Sequence, residues 1–275
     1  MQPQPYNVVP QPQPLVPASQ CACQGCGHSS VKKVEEKAAF ASWFVVEDGV
    51  ISLSLRGLTI FFSLFITIVL IVMLILSCND GKGDYKCTIQ DWPMISDVIA
   101  QEMYDRTFIL LTAIFMFGVQ QVNLRAFYKQ LYGKISNGRN DTMMYIGMVS
   151  MVGLPMVGMF DEHMWKTLHG ISAGMFFGGF MIYARILSVA MNEVKDQFDQ
   201  PTQTAITSMN SNVTGLILTT LSFVVSLILT GSGGITAILE WATALYFVNF
   251  FSIASYANPF YDSVHQPHTK EEETA

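Results

Sequence analysis

Six long apolar stretches, separated by polar loops, dominate the pattern of hydrophobic and polar positions along this chain. Each is close to the roughly 20 residues that an α-helix needs to cross the hydrocarbon core of a bilayer. They cover Gly57–Ser77, Thr107–Phe127, Thr142–Phe160, Trp165–Leu187, Val213–Thr230 and Ile235–Ala257. The first has no charged residue between Arg56 and Asp80, and a helix of a soluble protein is rarely apolar on every face for so long.

The continuous apolar character of these stretches favours helices over the alternating strands of a membrane barrel. We therefore predict an all-α fold, a polytopic transmembrane bundle of six helices. Residues 41–258 are expected to form the transmembrane domain, between a disordered cytoplasmic tail at 1–40 and a short acidic cytoplasmic tail at 259–275. The composition agrees, with 51% hydrophobic and 13% charged residues. No apolar run begins at the N-terminus, so we expect no cleavable signal peptide.

Lys and Arg are distributed unequally between alternate loops, and this predicts the orientation. Eleven of them lie in the segments before the first helix, after the second, after the fourth and after the sixth, and four lie in the other loops. Both termini should therefore be cytoplasmic, with the intervening loops lumenal or extracellular. The basic loop Arg125–Arg139 would then face cytosolic partners or anionic lipid, whereas the net charge of −6 gives no support to nucleic-acid binding.

The N-terminal tail combines two compositional signals. Residues 1–20 are rich in Pro and Gln, which favours a solvated, disordered segment over a docking site for a Pro-reading module, the alternative interpretation. Cys21, Cys23 and Cys26 follow, with His28 close by. Three interpretations stay open for these thiols: reduced and unmodified, S-acylated, or ligands of a metal. The spacing lacks the two separated ligand pairs of a structural zinc site, so we assign no metal.

Cys78 and Cys87 flank a turn-rich segment just after the first helix. On the expected lumenal side a disulfide between them is favoured. The alternative is that Cys78 is a buried thiol at the helix end.

The fourth helix carries a glycine stripe, defined here as Gly170, Gly174 and Gly178, which recur every four residues on one face. Such a stripe lets another helix approach closely. Packing inside the bundle is the favoured interpretation and a dimer interface the alternative, so the oligomeric state stays open.

Three ionisable residues are expected near the lumenal ends of their helices: His169, Glu240 and Arg106. Ionisable groups inside a membrane usually face the bundle interior, so a polar cluster is predicted. It could serve chemistry or only satisfy buried polar groups. The chain has no P-loop, dinucleotide fingerprint or nucleophile elbow, and we expect no cofactor.

Several short motifs resemble the Frag1/DRAM/Sfk1 family of six-helix membrane proteins. The family's Pro-x-Ile-Ser element is matched by Pro93, Ile95 and Ser96, and its Glu-Trp signature by Glu240 and Trp241. Its His-x-x-x-Ala-x-x-Phe-Phe pattern is matched from His169 to Phe177. One departure is Gln101-Glu102, where the family often has Pro-Glu, and the Cys-rich tail lies outside the resemblance.

The resemblance implies a role in lipid-related processes at the plasma membrane or at endolysosomal or Golgi membranes. Relatives support phosphoinositide kinases, lipid asymmetry, autophagy or GPI-anchor lipid remodelling. We therefore weigh a membrane scaffold or regulator, with lipids and a cytosolic protein as partners, against a lipid-remodelling enzyme or transporter. A lumenal cavity lined by His169 and Glu240 would favour the second interpretation.

Overall fold

Six helical spans, each long and apolar enough to cross a membrane, make up most of the described part of the chain. The computed structural model describes residues 44–47, 50–80, 86–101 and 103–258. The spans cover Leu55–Asn79, Tyr104–Leu131, Asn137–Met159, Lys166–Glu193, Gln200–Thr230 and Gly234–Tyr256. The six predicted apolar stretches are thus confirmed as helices.

Four of the spans are continuous helices. They are α1 (Leu55–Asp80), α5 (Asn137–Met159), α8 (Gln200–Thr230) and α9 (Gly234–Tyr256). The helix α8 begins well before the predicted Val213, because its polar first turns still bury Ile206 and Met209 against the bundle. A Pro in its first turn costs no hydrogen bond there, since those N–H groups have no helical partner.

The second and fourth spans each contain a π-helical stretch, where the turns are wider than in an α-helix. The second consists of α3 (Tyr104–Ala113), the π stretch Ile114–Gln120 and α4 (Gln121–Leu131). The fourth consists of α6 (Lys166–Ala173), the π stretch Gly174–Gly178 and α7 (Gly179–Glu193). A short 3-10 turn, Lys195–Gln197, follows it.

Two small elements lie outside the spans. Strands β1 (Phe44–Glu47) and β2 (Val50–Leu53) form an antiparallel hairpin just before α1, with Phe44 opposite Leu53. The helix α2 (Ile95–Ile99) lies in the loop between the first and second spans. Neither was predicted from the apolar pattern, because each is too short to show the periodic pattern by which helices and strands are recognised.

The two ends of the bundle are named here for these elements. The α2 end carries α2, the end of α1 and the turn between α8 and α9; the hairpin end is the opposite one. Six spans return the chain to the end at which it started. The side chain of Arg56 accordingly donates from Nε to the carbonyl oxygen of Ser255 at 3.3 Å and lies over the ring of Tyr256.

The core between the spans is rich in aromatic rings. Phe180 contacts Phe176, Phe247 and Phe251, and Phe251 in turn meets Phe115 edge-on with ring centroids 5.3 Å apart. These rings join the second, fourth and sixth spans at the middle of the bundle. Without a hydrophobic driving force in lipid, such close contacts supply much of the association between helices.

Candidate functional site

The Glu240 side chain reaches from α9 to the first turn of α2. It is 5% exposed, and its Oε2 accepts a hydrogen bond of 2.6 Å from the backbone N–H of Ile95. The backbone N–H of Ser96 also faces the carboxylate. The first amides of a helix have no partner within that helix, so Glu240 caps α2 from another part of the chain.

Trp241, the next residue of α9, contacts the same loop at a residue that comes before Ile95 in the chain. Its indole Nε1 donates to the carbonyl oxygen of Pro93 at 3.0 Å. Between these two attachment points, Met94 is buried against Phe223 and Ala237. We call the two contacts of Glu240 and Trp241 with Pro93–Ser96 the α2 latch. It brings two of the three motifs that carry the family resemblance into direct contact.

The loop before α2 lies directly on the start of α9. A Cβ at Gly234 would overlap the carbonyl oxygen of Ile89 and crowd the backbone of Gln90. Only glycine permits this approach of two backbones. Within the loop, Asp91 accepts from the N–H of Lys86 at 2.8 Å, so the segment entering α2 is held at several points.

Asp97 completes the local structure of α2. Its Oδ2 accepts a hydrogen bond of 2.9 Å from the backbone N–H of Met94, the residue that precedes the helix. Burial raises the pKa of this carboxyl above its ordinary value, the Met94 hydrogen bond lowers it in part, and nearby Glu162 adds a raising effect. Asp97 was not among the predicted site residues, although a carboxylate three residues after the start of a helix is a known capping signal.

A disulfide joins Cys78 at the end of α1 to Cys87, with the Cα atoms 5.9 Å apart, inside the usual range. This is the pairing favoured from the sequence. Beside it, the side-chain amide of Gln101 donates to the hydroxyl of Ser77. The loop is therefore attached to α1 on one side and to α9 on the other.

His169 and Arg106 do not pair with Glu240. Nδ1 of His169 lies 2.8 Å from the carbonyl oxygen of Phe160, so the ring joins α6 to the end of α5. Arg106 is exposed, and its backbone N–H is bonded to Asp105. Among the described residues, neither forms a hydrogen bond or an ion pair with Glu240. The hydrogen-bond partners of Glu240 are therefore backbone amides of α2 and not the two side chains of the predicted cluster.

A cavity lies directly beneath the α2 latch. The centres of water-sized molecules can occupy about 70 Å³ of it, and it is partly open to its surroundings. Glu240, Ile95 and Ser96 line it at the α2 end, and Ser63 and Phe251 line it towards the other end. His169 is not among the lining residues. Of the two residues that were expected to line a lumenal cavity together, only Glu240 does so.

The glycine stripe does not mediate a close helix contact within the described residues. A Cβ at Gly170, Gly174 or Gly178 would meet no atom within 4 Å. The close approach is made instead by Gly153, where a Cβ would lie 2.7 Å from the backbone nitrogen of Phe176. The favoured interpretation of the stripe was packing inside the bundle. No close contact among the described residues supports it.

The remaining predicted sites need only a brief statement. Cys21, Cys23 and Cys26 lie outside the described residues. Within the residues that are described, no group of three or more His, Cys, Asp or Glu side chains could hold a metal ion.

A bundle of six membrane-spanning helices, with a short helix latched across one end, defines an integral membrane protein. The family model of the Frag1/DRAM/Sfk1/Cwh43P N-terminal domain matches residues 55–257, from the start of α1 to the residue after α9. The chain therefore belongs to the Frag1/DRAM/Sfk1 family. No curated protein and no solved structure was found to match it.

Proposed function

We propose that this protein is a scaffold or regulator of lipid-related processes in its membrane, such as phosphoinositide kinase support, lipid asymmetry or autophagy. The observation that carries this proposal is the α2 latch. Glu240, the buried acid among the family motif residues, uses its carboxylate to hold the backbone of α2. Because the Glu240 carboxylate is engaged in capping α2, it fixes the position of the surface that α2 presents. A regulator would use such a surface to contact a partner.

The two ends of the bundle would then meet different partners. With both termini cytoplasmic, the loop and helix end Arg125–Arg139 contribute four basic residues on the cytosolic side, where anionic lipid or a cytosolic protein would bind. The α2 end would face the lumen or the outside and contact lipid headgroups. The plasma membrane and endolysosomal or Golgi membranes are the proposed locations.

The second candidate is a lipid-remodelling enzyme or transporter, for example in GPI-anchor lipid maturation. The cavity favours it, because Glu240 and Ser96 place polar atoms against an apolar space. In this case a reacting or transported lipid would reach Glu240 from below the latch. His169 would act only after a rearrangement that brings it to the cavity.

Cells that lack the protein, complemented with single variants, test the two functions against each other. We expect Glu240→Ala to lower the amount of protein at its membrane, with any lipid change in proportion to that loss. His169→Ala should leave lipids and trafficking close to wild type. Glu240→Gln is the matched control, because its amide oxygen can still accept the Ile95 N–H bond.

A different result for Glu240→Gln would contradict the regulator. If Glu240→Gln reaches normal abundance and location but abolishes the lipid phenotype, the carboxylate itself is required. That outcome would replace the regulator with the enzyme or transporter.

A further inference from the structure

We propose that the cavity beneath α2 binds one hydrocarbon chain of a phospholipid from the leaflet at the α2 end. This inference deepens the proposed lipid-related function, on which it rests for its biological meaning.

The length of the cavity matches the thickness of one leaflet. On α9 the lining residues extend from Glu240 to Phe251, and at 1.5 Å per residue this is about 16 Å along the helix. Half of the roughly 30 Å hydrocarbon core is about 15 Å. One acyl chain that entered from the α2 end would therefore end near the centre of the bilayer.

The lining suits a hydrocarbon chain better than water or a polar solute. Aliphatic and aromatic side chains from five of the spans form the walls, including Ile66, Leu70, Phe115 and Phe247. Among the described lining residues Glu240 alone is ionisable, and its carboxylate is already bonded to α2. Water in such a space would lack the two to four polar partners that it needs.

Ser63 is the polar exception at the inner end. Its hydroxyl is buried and has no hydrogen-bond partner among the described atoms. A serine in a helix can turn its hydroxyl to the carbonyl four residues earlier, here that of Thr59. The end of an apolar chain beside Ser63 is therefore tolerated.

The position of the cavity lets a headgroup remain at the membrane surface. Phe108 lines it four residues after the start of α3, and Val157 lines it two residues before the end of α5. At 1.5 Å per residue, the α2 end of the cavity lies within about 6 Å of these helix ends. The chain can thus enter the cavity while the ester groups and headgroup stay at the interface.

Photocrosslinking of the purified full chain in lipid nanodiscs tests this site. The probe is phosphatidylcholine with a diazirine in one acyl chain, and the labelled residues are mapped by mass spectrometry. We expect label on the inward faces of α1 and α9, around Leu70 and Phe247. Ala244→Phe, which fills the cavity, should reduce this label about tenfold, equivalent to about 1.4 kcal/mol of binding free energy.

The matched control is Leu245→Phe, which adds a ring to the exposed face of the same helix and should leave the inward label unchanged. Should Ala244→Phe fail to fold, Val248→Phe fills the same cavity from the next turn. Label confined to outward-facing residues, or inward label that survives both fillings, would overturn the site. Inward label from a diazirine sterol or free fatty acid, with none from phosphatidylcholine, would overturn the chosen occupant.

The two proposals fail in distinguishable ways. Loss of inward label in the purified protein removes the acyl-chain site and leaves the cellular function untouched. Normal label combined with unchanged lipids and trafficking in cells that lack the protein removes the function and keeps the site.

Discussion

The two ends of the bundle are held together by different means. At the hairpin end, large side chains from several spans are fully buried against one another, including Phe127, Leu131, Leu187, Met191 and Ile206. At the α2 end, a disulfide and a few hydrogen bonds between distant residues hold a loop above a cavity. Packing dominates at the hairpin end, where polar links such as Arg56 to Ser255 add to it, and at the α2 end specific attachments lie over a cavity.

The difference shows where this fold leaves its larger cavity. Close packing between helices leaves little space, here a gap of about 10 Å³ beside Phe127 and Leu187 against about 70 Å³ beneath α2, and gains stability from many small contacts. Attachments that act at single points let the elements stand apart, so that a cavity survives beneath them. Each attachment should then contribute separately to the stability of the α2 end. Removing the attachments one at a time tests this.

The largest effect is expected from the disulfide. Replacing Cys78 and Cys87 together by Ala opens a loop with a sequence separation of nine and should lower the free energy of unfolding by about 3 kcal/mol. Thermal unfolding in detergent measures it. Reducing agent should shift wild type towards the double variant and leave the variant unchanged. Equal unfolding midpoints for the two proteins would show that the α2 end does not depend on this link.

Removing the Glu240 side chain should come next. Glu240→Ala leaves the N–H of Ile95 buried without its acceptor, which costs about 2 kcal/mol of folding free energy. Hydrogen exchange should rise at the amides of α2 before it rises at the hairpin end. Glu240→Gln should lose less. If exchange rose equally at both ends, the latch would not be a local attachment.

A matched pair of glycines tests close packing against open space. In Gly153→Ala the new Cβ meets the backbone of Phe176 and Ser172, and overpacking of this kind costs about 1–3 kcal/mol. Gly174→Ala meets nothing within 4 Å, so its unfolding midpoint in detergent should stay near that of wild type. A loss of stability for Gly174→Ala that depends on protein concentration would instead reveal a second copy on the glycine stripe.

Asp97 predicts a pH dependence at the α2 end. Burial raises its pKa in the folded protein above the ordinary value of an aspartate, so the folded state holds this proton more tightly than the unfolded chain does. Its contribution to stability is therefore complete below the unfolded pKa and is lost as the pH rises through the folded one. Asp97→Asn should show a smaller loss of stability between pH 3.5 and pH 7, measured by thermal unfolding; an unchanged pH profile would contradict this.

The smallest effect is expected for a charged pair at the hairpin end. Arg139 and Glu193 form a salt bridge of 2.8 Å, but their side chains are 31% and 50% exposed. Exposed pairs of this kind contribute about 1 kcal/mol or less, so Arg139→Ala should barely move the unfolding midpoint. A shift as large as that of Glu240→Ala would mean that single polar attachments govern this end as well.

The sequence allowed much of the fold to be predicted and less of the site. The six spans follow from apolar length, because a polypeptide crosses lipid only as helices or closed barrels. The Cys78–Cys87 disulfide was favoured because both cysteines lie in the turn-rich loop expected on the lumenal side. The partners of Glu240 could not be predicted. The carboxylate meets backbone amides 145 positions away in the chain, and backbone amides leave no signature in the pattern of side chains.

The glycines show the same limit from the other side. Spacing every four residues singles out Gly170, Gly174 and Gly178, yet close approaches occur at other glycines, such as Gly153, which periodicity alone does not distinguish. Which glycine faces a neighbouring helix depends on the rotation of each span about its axis. That rotation is decided by packing against several partners at once.

The sequence by itself determined that this chain spans a membrane six times, and its motifs already pointed to the Frag1/DRAM/Sfk1 family. Only the tertiary structure joined Glu240 and Trp241 to Pro93–Ser96, separated them from His169 and left a cavity below. Length and hydropathy are properties of each segment, so they can be read in order along the chain. The latch and the cavity are relations between segments, and they exist only once the helices have packed.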